Sequence, residues 1–302
     1  MSACDDMTVV IPVKMEREAI GFVLEELLSA GVSRDRVLVV DGGSTDGTPE
    51  VASSYGVTVI RQRYPGGKAG GVKTALEYVK SRYVVVMDGD YTYPAFHVWD
   101  LCRKLDEGYD MVIGVRHPEP GSMNPVFRLG NRILTTWFNL IFGTRLRDVL
   151  SGMYALRLDA LRGMLWEAGG FSVESELVAH IASTTGRISE VDIRYRRRIG
   201  RKKLGVLGGF KIALDMARLS ISYNPLFTIF ALASLILIPG IALDIYYLYH
   251  LTVNDVKYFM KGLLGAIMTI VGLQTLSLAL LALYMKRMEF RLRRAIEGIA
   301  QR

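Results

Sequence analysis

Two aspartates one residue apart, Asp88 and Asp90, are the residues of this sequence best suited to hold a cation. They follow the apolar run Tyr83–Met87, which is typical of a buried strand. Two carboxylates this close repel each other unless a positive charge lies beside them. A hard divalent cation on a diphosphate meets that need, because Mg²⁺ and Mn²⁺ bind carboxylate, phosphate and water oxygens. The pair alone also fits an ordinary turn, but its place after a buried strand predicts a metal and diphosphate site.

Two glycine-rich loops could approach a phosphorylated ligand. Asp41 opens the first, DGGSTDGTP, and Lys68 lies in the second, GGKAGG. Glycines let the backbone approach a ligand closely, and a basic loop before a helix suits a phosphate. The glycine spacing fits neither the dinucleotide-binding GxGxxG pattern nor a P-loop. We therefore expect a phosphorylated ligand that is held in a different way.

The elements that must position these residues alternate between strands and helices. Such alternation indicates crossover connections and an α/β domain with a largely parallel sheet. In such sheets ligands bind beyond the carboxyl ends of the strands, where both loops and the aspartate pair are expected. The predicted strands are Thr8–Pro12, Val37–Val40, Val57–Ile60, Tyr83–Met87 and Met111–Val115.

Two runs without a charged residue, Leu219–Leu243 and Gly262–Met285, come after this domain. Each exceeds the roughly 20 apolar residues needed to cross a bilayer. Core helices of a soluble protein are the alternative, although such helices rarely reach this length without a charge. Residues 187–218 hold ten Lys or Arg against three Asp or Glu, and the second run is followed by Lys286, Arg287, Arg291, Arg293 and Arg294. By the positive-inside rule we expect an integral membrane protein whose two-helix hairpin leaves the α/β domain and both termini in the cytoplasm.

This pattern divides the chain into four parts. A soluble domain precedes a basic amphipathic segment, two membrane helices and a basic tail. Their expected ranges are 1–200, 201–221, 222–286 and 287–302.

The formal net charge of +7 is concentrated just before the first apolar run, at 194–218. Polybasic segments beside a membrane gain about 1 kcal/mol per Lys or Arg at an anionic surface. Nucleic-acid binding is the competing interpretation, but no stacking motif accompanies the charge. We therefore expect a lipid bilayer, and no nucleic acid, as a partner.

The chain has two cysteines, Cys4 and Cys102, and half of its residues are hydrophobic. This composition excludes a disordered or fibrous protein. Because the cysteines form no CxxC pair, we expect neither a disulfide scaffold nor a zinc site. Cys102 is expected to be buried in a helix and Cys4 to lie on a mobile terminus.

Six motifs in order resemble those of a known family. They are VVIPVKMEREAI, VVDGGSTDGT, MDGDYTYP, VIGVR, RDVLSGMYALR and IRYRRRIGRKKLG. On these motifs the chain resembles glycosyltransferase family 2. Members of that family have a GT-A fold and transfer a sugar with inversion of its anomeric configuration. Within that family it is similar to polyprenol-phosphate sugar synthases of the dolichyl-phosphate mannose synthase type.

The resemblance implies transfer of a hexose, first of all mannose from GDP-mannose, onto dolichyl or polyprenyl phosphate. It implies Mn²⁺ or Mg²⁺ as the cofactor, with Asp88 and Asp90 as metal ligands. Together with the glycine-rich loops, the resemblance predicts the residues that bind the nucleotide sugar. They are Pro12, Val13, Glu16, Asp41, Lys68, Asp88, Gly89 and Asp90. It assigns to the acceptor phosphate Arg116, Arg128, Ser151, Arg198 and Lys203.

Asp90 and Asp148 are the predicted catalytic residues. A phosphate monoester has its second pKa near 6, so the acceptor is mostly ionised already and needs positioning more than deprotonation. For Asp148 the sequence leaves four roles open: a general base, a group that orients the acceptor, a partner of Arg128, or an anchor of its own loop. Glu174, before a predicted helix, is expected to be a helix-end charge or a supporting residue.

The site motifs depart from the family pattern at several positions. Lys14-Met15 replaces the usual Tyr-Asn, Gly42 stands where a second Asp is common, and Thr92 stands where some members place a metal-binding Gln. Tyr154 replaces an Arg, and Lys202 stands where Ser is common.

Other functions remain open from the sequence. UDP-glucose is the alternative donor, and a noncatalytic membrane scaffold with a degenerate transferase domain is the alternative class. A processive polysaccharide synthase is disfavoured because the sequence contains no QxxRW segment. A homo-oligomer is left open. The amphipathic segments Val126–Phe142 and Val206–Leu219 are expected either to lie at the membrane surface or to pack against the protein.

Overall fold

The computed structural model describes residues 2–164, 166, 173–200, 206–254 and 256–300. The chain divides into two compact units, Met1–Leu219 and Ser220–Arg302. Strands and helices alternate through most of the first unit, whereas long apolar helices make up the described part of the second.

The first unit contains one mixed sheet flanked by helices. Its strands are β1 (Met7–Val13), β2 (Val37–Asp41), β3 (Thr58–Arg61), β4 (Tyr83–Val86), β5 (Met111–Pro118), β6 (Tyr154–Arg157) and β7 (Ile188–Tyr195). Its helices are α1 (Arg17–Ser29), α2 (Thr48–Ser54), α3 (Lys68–Tyr78), α4 (His97–Asp106), α5 (Pro125–Phe142) and α6 (Val173–Thr184), followed by α7 (Val206–Tyr223) at the unit boundary.

In the described residues the strand order is β3-β2-β1-β4-β6-β5-β7. β1, β2, β3 and β4 are mutually parallel, and β5 and β7 are parallel to each other. β6 runs antiparallel to both of its neighbours, with Tyr154 opposite Val86 of β4 and Ile113 of β5. The largely parallel α/β sheet predicted from the sequence is therefore confirmed.

Each predicted strand is present and begins within one residue of its predicted start, but the prediction missed β6 and β7. The central strands β2 and β4 are buried along their whole length, which explains their continuous apolar sequence. β6 has only four residues. β7 interleaves charged and apolar residues because it lies at the edge of the sheet and is mostly half-buried. Short and edge strands carry little of the apolar signal that identifies a strand.

The structure corrects the expectation for the cysteines. Cys4 is joined to Cys102 of α4 by a disulfide. The N-terminal segment is held against α4 by a second contact, since the backbone N–H of Ala3 donates to Asp106 at 2.6 Å. Cys102 is buried as expected. Two cysteines distant in sequence gave no sign of this pairing, because it depends on where the N-terminal segment lies.

The second unit holds α8 (Pro225–Val253) and α9 (Phe259–Ala300). By length and composition, Pro225–Val253 and Phe259–Met285 could each cross a membrane. The two helices pack closely at glycines: a Cβ on Gly240 would lie 2.8 Å from the backbone of Thr269, and one on Gly272 would lie 2.7 Å from Leu237. Asp244 lies within α8, where its carboxylate accepts a hydrogen bond from Thr269 at 2.6 Å.

Candidate active site

The residues predicted to do chemistry gather at one edge of the sheet. The carboxyl ends of the parallel strands β1 to β4 meet there, together with those of β5 and β7 and the amino end of the antiparallel β6. This arrangement brings Asp88 and Asp90 after β4, Arg116 in β5 and Gly152 before β6 to the same region.

A cavity of about 400 Å³ lies at this edge. The sequence-predicted residues that line it are Pro12, Val13, Glu16, Lys68, Asp88, Gly89, Asp90, Arg116 and Arg198. The other lining residues are Lys14, Gln62, Gly67, Tyr93, Asn131, Leu150, Gly152, Glu174, Tyr195 and Ile212.

Lys68 is held between two carboxylates. Its ammonium lies 2.5 Å from Asp88 Oδ1 and 2.5 Å from Glu174 Oε1. Burial lowers the pKa of Lys68, but the charges of Asp88 and Glu174 outweigh it and raise that pKa well above its ordinary value. Lys68 at the start of α3 therefore stays charged and fixed in direction at the cavity wall.

Asp90 carries a buried carboxylate with two different partners. Its Oδ1 accepts from the hydroxyl of Thr92 at 2.5 Å, and its Oδ2 lies 3.1 Å from Arg198 Nη1. Arg198 also forms an ion pair with Glu16, so its guanidinium joins the loop after β1 to the aspartate pair. Burial, and after it the charge of Asp88, raise the pKa of Asp90, although the hydrogen bond from Thr92 and the charge of Arg198 oppose that shift.

The aspartate pair fits a hard divalent cation. Asp88 and Asp90 supply oxygen ligands at the cavity wall, and the raised pKa of Asp90 would be relieved by a cation. Among the described residues no cluster of three or more His, Cys, Asp or Glu could hold a metal. A metal held by two carboxylates leaves positions for water and for the oxygens of a phosphorylated ligand. Thr92 is buried and donates to Asp90, and it is not among the cavity-lining residues.

Asp41 uses its carboxylate within its own loop. The carboxylate accepts from the backbone N–H groups of Gly43 and Ser44 at 3.0 Å each, and Asp41 is not among the residues that line the cavity. This turn shapes the segment between β2 and α2.

Among the residues that the structure describes, two other than glycine have positive φ, and both are next in sequence to cavity-lining residues. Met15 (φ 53°) lies between the lining residues Lys14 and Glu16, and Tyr91 (φ 67°) directly follows Asp90. Such conformations cost energy and persist where surrounding contacts enforce them, often at functional sites. Ser44 accepts from the N–H of Met15 at 2.8 Å and so helps to hold the first of them.

Arg116 and Asp148 form a two-pronged ion pair. Arg116 Nε donates to Asp148 Oδ2 and Arg116 Nη2 to Asp148 Oδ1, each at 2.7 Å. Both side chains are about one-tenth exposed, and the guanidinium carbon lies 5.6 Å from the centre of the Tyr195 ring. Of the roles that the sequence left open for Asp148, this geometry favours the positioning of an arginine, but that arginine is Arg116 and not Arg128.

A second cavity, of about 470 Å³, adjoins the first through shared lining residues. Arg116 and Asn131 line both cavities. The second cavity is also lined by Arg128, Arg132 and Arg147, with Asp148 as its acidic residue. The excess of positive charge makes it suited to an anionic group.

Ser151, a predicted acceptor residue, lies away from both cavities. Ser151 is buried and lies 3.4 Å from both the N–H and the carbonyl of Met153, and it lines neither cavity. Lys203 lies outside the described residues.

Helix α5 presents apolar residues in two directions. Leu134, Phe138 and Ile141 are buried, so one face packs against the protein. A second row is exposed, at the helical spacing of three or four residues, and consists of Val126, Leu129, Ile133, Trp137 and Leu140. In α7, Phe210 and Leu214 are exposed while Ile212 and Met216 are buried.

Comparison with known proteins decides the family. A model of glycosyl transferase family 2 matches residues 8–163. The chain belongs to this family. The glycosyltransferase AglJ of Haloferax volcanii is 31% identical over 288 residues, which cover 93% of this chain and 94% of the relative. A dolichyl-phosphate hexose transferase of the same organism is 34% identical over 207 residues, covering 68% and 89%.

Solved structures agree with the fold of this family 2 glycosyltransferase. Glucosyl-3-phosphoglycerate synthase from Mycobacterium tuberculosis, solved with Mn²⁺, UDP-glucose and phosphoglyceric acid, superimposes with a TM-score of 0.58 at 25% identity. The alignment covers 72% of this chain and 79% of that one. The predicted GT-A class is thereby confirmed, and in this chain the two apolar helices α8 and α9 follow that domain.

Sequence reasoning did not place Glu174 and Gln62 in the cavity of this glycosyltransferase. Glu174 was expected to be a helix-end or supporting charge, and it does lie in the first turn of α6, but it reaches Lys68 and lines the cavity. Gln62 directly follows β3. Its position after a predicted strand could have indicated that it lines the ligand site.

Proposed function

We propose that the chain is a membrane-anchored glycosyltransferase that moves a hexose from a nucleotide sugar onto dolichyl or polyprenyl phosphate. The main support for this proposal is that Arg116 lines two cavities of different character. One cavity holds the aspartate pair and Lys68, and the other is lined by arginines. A donor diphosphate suits the first and an acceptor phosphate suits the second.

On the donor side, Asp88 and Asp90 would hold Mn²⁺ or Mg²⁺. That metal, when bound, supplies positive charge to the leaving diphosphate. Lys68 directs a second positive charge at the same region, because Glu174 and Asp88 fix its ammonium. The resemblance further proposes Pro12, Val13, Glu16, Asp41 and Gly89 as contacts of the nucleotide sugar.

On the acceptor side, Arg116 and Arg128 would bind the phosphate. Because this phosphate is mostly ionised at neutral pH, it can attack without a general base. Asp148 then acts as a positioning residue that orients the Arg116 guanidinium. Arg198, beside Asp90, would contact phosphate where donor and acceptor meet, and Ser151 and Lys203 remain proposed acceptor residues.

The acceptor also gives the apolar helices a function. A polyprenyl chain stays in the bilayer, so an enzyme that uses its phosphate must work at the membrane surface. We infer that α8 and α9 anchor the protein, with the α/β domain and both termini in the cytoplasm as the distribution of basic residues predicts. The exposed apolar row of α5 would then lie at the interface, near the arginines that its first turns contribute to the second cavity.

Two donors fit this proposal. GDP-mannose follows from the sequence resemblance to mannose synthases. UDP-glucose is supported by the mycobacterial synthase of similar fold, which was solved with UDP-glucose and Mn²⁺.

The test separates the acceptor classes. The purified full chain in detergent is incubated with Mn²⁺, with labelled GDP-mannose or UDP-glucose, and with either polyprenyl phosphate or 3-phosphoglycerate. We expect label in the organic phase with polyprenyl phosphate from one donor, and none when unphosphorylated polyprenol replaces it. Label transferred only to 3-phosphoglycerate would contradict the lipid acceptor, and no transfer to either would contradict the enzymatic proposal.

A further inference from the structure

The side chain of Gln62 occupies a slot built by three glycines. A Cβ on Gly42 would lie 3.1 Å from Gln62 Oε1, one on Gly71 would lie 3.4 Å from the same oxygen, and one on Gly70 would lie 2.6 Å from Nε2. Larger residues at these positions would press on the carboxamide or displace it. An Asp at position 42 would place its side chain against Gln62.

The orientation of this carboxamide follows from its hydrogen bond. Nε2 donates to the carbonyl of Tyr64 at 2.5 Å, which Oε1 could not do. Oε1 is therefore the atom turned toward Gly42 and Gly71. Within the described part of the chain this oxygen accepts no hydrogen bond, although Gln62 lines the donor-side cavity.

Gln62 supplies a side-chain hydrogen-bond acceptor at this side of the cavity. The backbone N–H of Gln62 donates to the carbonyl of Asp41 at 2.8 Å, so the two residues are adjacent across β2 and β3. The Asp41 carboxylate is engaged by its own loop, whereas Pro12 and Val13 next to the slot offer apolar surface. An apolar wall beside one hydrogen-bond acceptor suits the edge of a planar heterocycle.

We propose that Gln62 Oε1 reads the nucleobase of the sugar donor by accepting a hydrogen bond from a ring N–H. Uracil and guanine carry such a group beside a carbonyl, whereas cytosine and adenine present an unprotonated ring nitrogen at the corresponding edge. Gln62 is then a specificity-determining residue that favours UDP- or GDP-linked donors. This inference depends on the proposed function, because it concerns the donor of the same reaction.

The test removes the hydrogen bond from each side in turn. Binding of UDP, GDP and their analogues methylated at the ring N–H (N3 of uracil, N1 of guanine) is measured by calorimetry with Mn²⁺, on the wild-type chain and on Gln62→Met. For the nucleotide that binds tighter, methylation should weaken binding about tenfold or more in the wild type, since a site that hydrogen-bonds a ligand group rejects the analogue without it. In Gln62→Met the same methylation should cost less than about threefold, because the two changes remove one interaction.

A second variant keeps the test valid if Gln62→Met does not fold. Gly42→Ala keeps the glutamine but puts a methyl group against Oε1, which must shift, so it should reduce the methylation penalty severalfold. Gly130→Ala, in an open stretch of α5, is the matched control. An equal methylation penalty in wild type and Gln62→Met, or a penalty that disappears only in Asp41→Asn, would overturn the role of Gln62. Failure of both UDP and GDP to bind would instead contradict the proposed function itself.

Discussion

The Lys68 ammonium lies 2.5 Å from Asp88 Oδ1 and 2.5 Å from Glu174 Oε1. One lysine thus links the aspartate pair to the first turn of α6, and Glu174 is only 5% exposed. A charged group held on two sides keeps its direction when a ligand arrives, which favours stabilisation of developing charge.

Replacing Glu174 by Gln should weaken this hold without removing Lys68. We expect kcat/KM for the nucleotide sugar to fall about tenfold, since a hydrogen bond to a charged group contributes about 1.5–3 kcal/mol. Steady-state kinetics of Glu174→Gln is compared with that of Glu50→Gln, whose side chain is exposed on α2. Equal kinetics in the two variants would mean that Glu174 serves only the packing of α6.

The Arg116–Asp148 pair should control the acceptor more than the donor. Lys at position 116 cannot reproduce the two-pronged contact, so Arg116→Lys should raise the KM for polyprenyl phosphate about tenfold or more while the donor KM changes less than about twofold. Asp148→Asn should act in the same direction, and the double variant should lose less than the sum of the two. Arg145→Lys, at an exposed position, is the control. A larger change in donor KM than in acceptor KM would contradict this assignment.

Gly152 leaves no space for a side chain beside the aspartate pair. A Cβ there would lie 2.1 Å from Asp88 Oδ2, and the Gly152 N–H donates to the Tyr93 hydroxyl at 2.8 Å. Gly152→Ala should therefore displace the Asp88 carboxylate and weaken Mn²⁺-dependent nucleotide binding at least tenfold, or destabilise the domain by about 1–3 kcal/mol. Calorimetry and thermal unfolding check both effects, with Gly130→Ala as control. If Gly152→Ala binds the nucleotide and unfolds like the wild type, the Asp88 carboxylate can move aside without loss, and the prediction is wrong.

His180 should make stability depend on pH. Burial lowers its pKa below the ordinary 6.5, although the hydrogen bond to the Ala160 carbonyl opposes that shift. Below about pH 6.5 the unfolded chain binds a proton that the folded His180 refuses, so stability falls as the pH drops toward the lower folded pKa and then levels off. Between pH 7.5 and 5 the unfolding temperature of the wild type should fall about 2 °C or more beyond that of His180→Gln. Parallel curves for the two proteins would rule His180 out as the cause.

Much of the fold could be predicted because buried strands have recognisable apolar sequences. β1, β2 and β4 form the buried centre of the sheet, and continuous apolar runs identify them. The residues after these strands had to converge, so Asp88, Asp90 and Lys68 could be grouped from the strand pattern alone.

The parts that could not be predicted depend on contacts between distant segments. Glu174 reaches Lys68 from another helix, and the Cys4–Cys102 pair depends on the path of the N-terminal segment. Asp148 was predicted as a site residue, but its partner Arg116 became evident only when β5 and the loop before β6 were placed together. Sequence spacing carries no direct signal of such pairings.

Identification of both products tests the central proposal most directly. The full chain is incubated with polyprenyl phosphate, Mn²⁺ and the preferred nucleotide sugar, and both phases are analysed by mass spectrometry. Transfer of the hexose alone predicts a lipid heavier by one hexose, with no added phosphate, and an equal amount of nucleoside diphosphate in the aqueous phase. A lipid that gains a hexose phosphate, with release of nucleoside monophosphate, would contradict the proposed reaction.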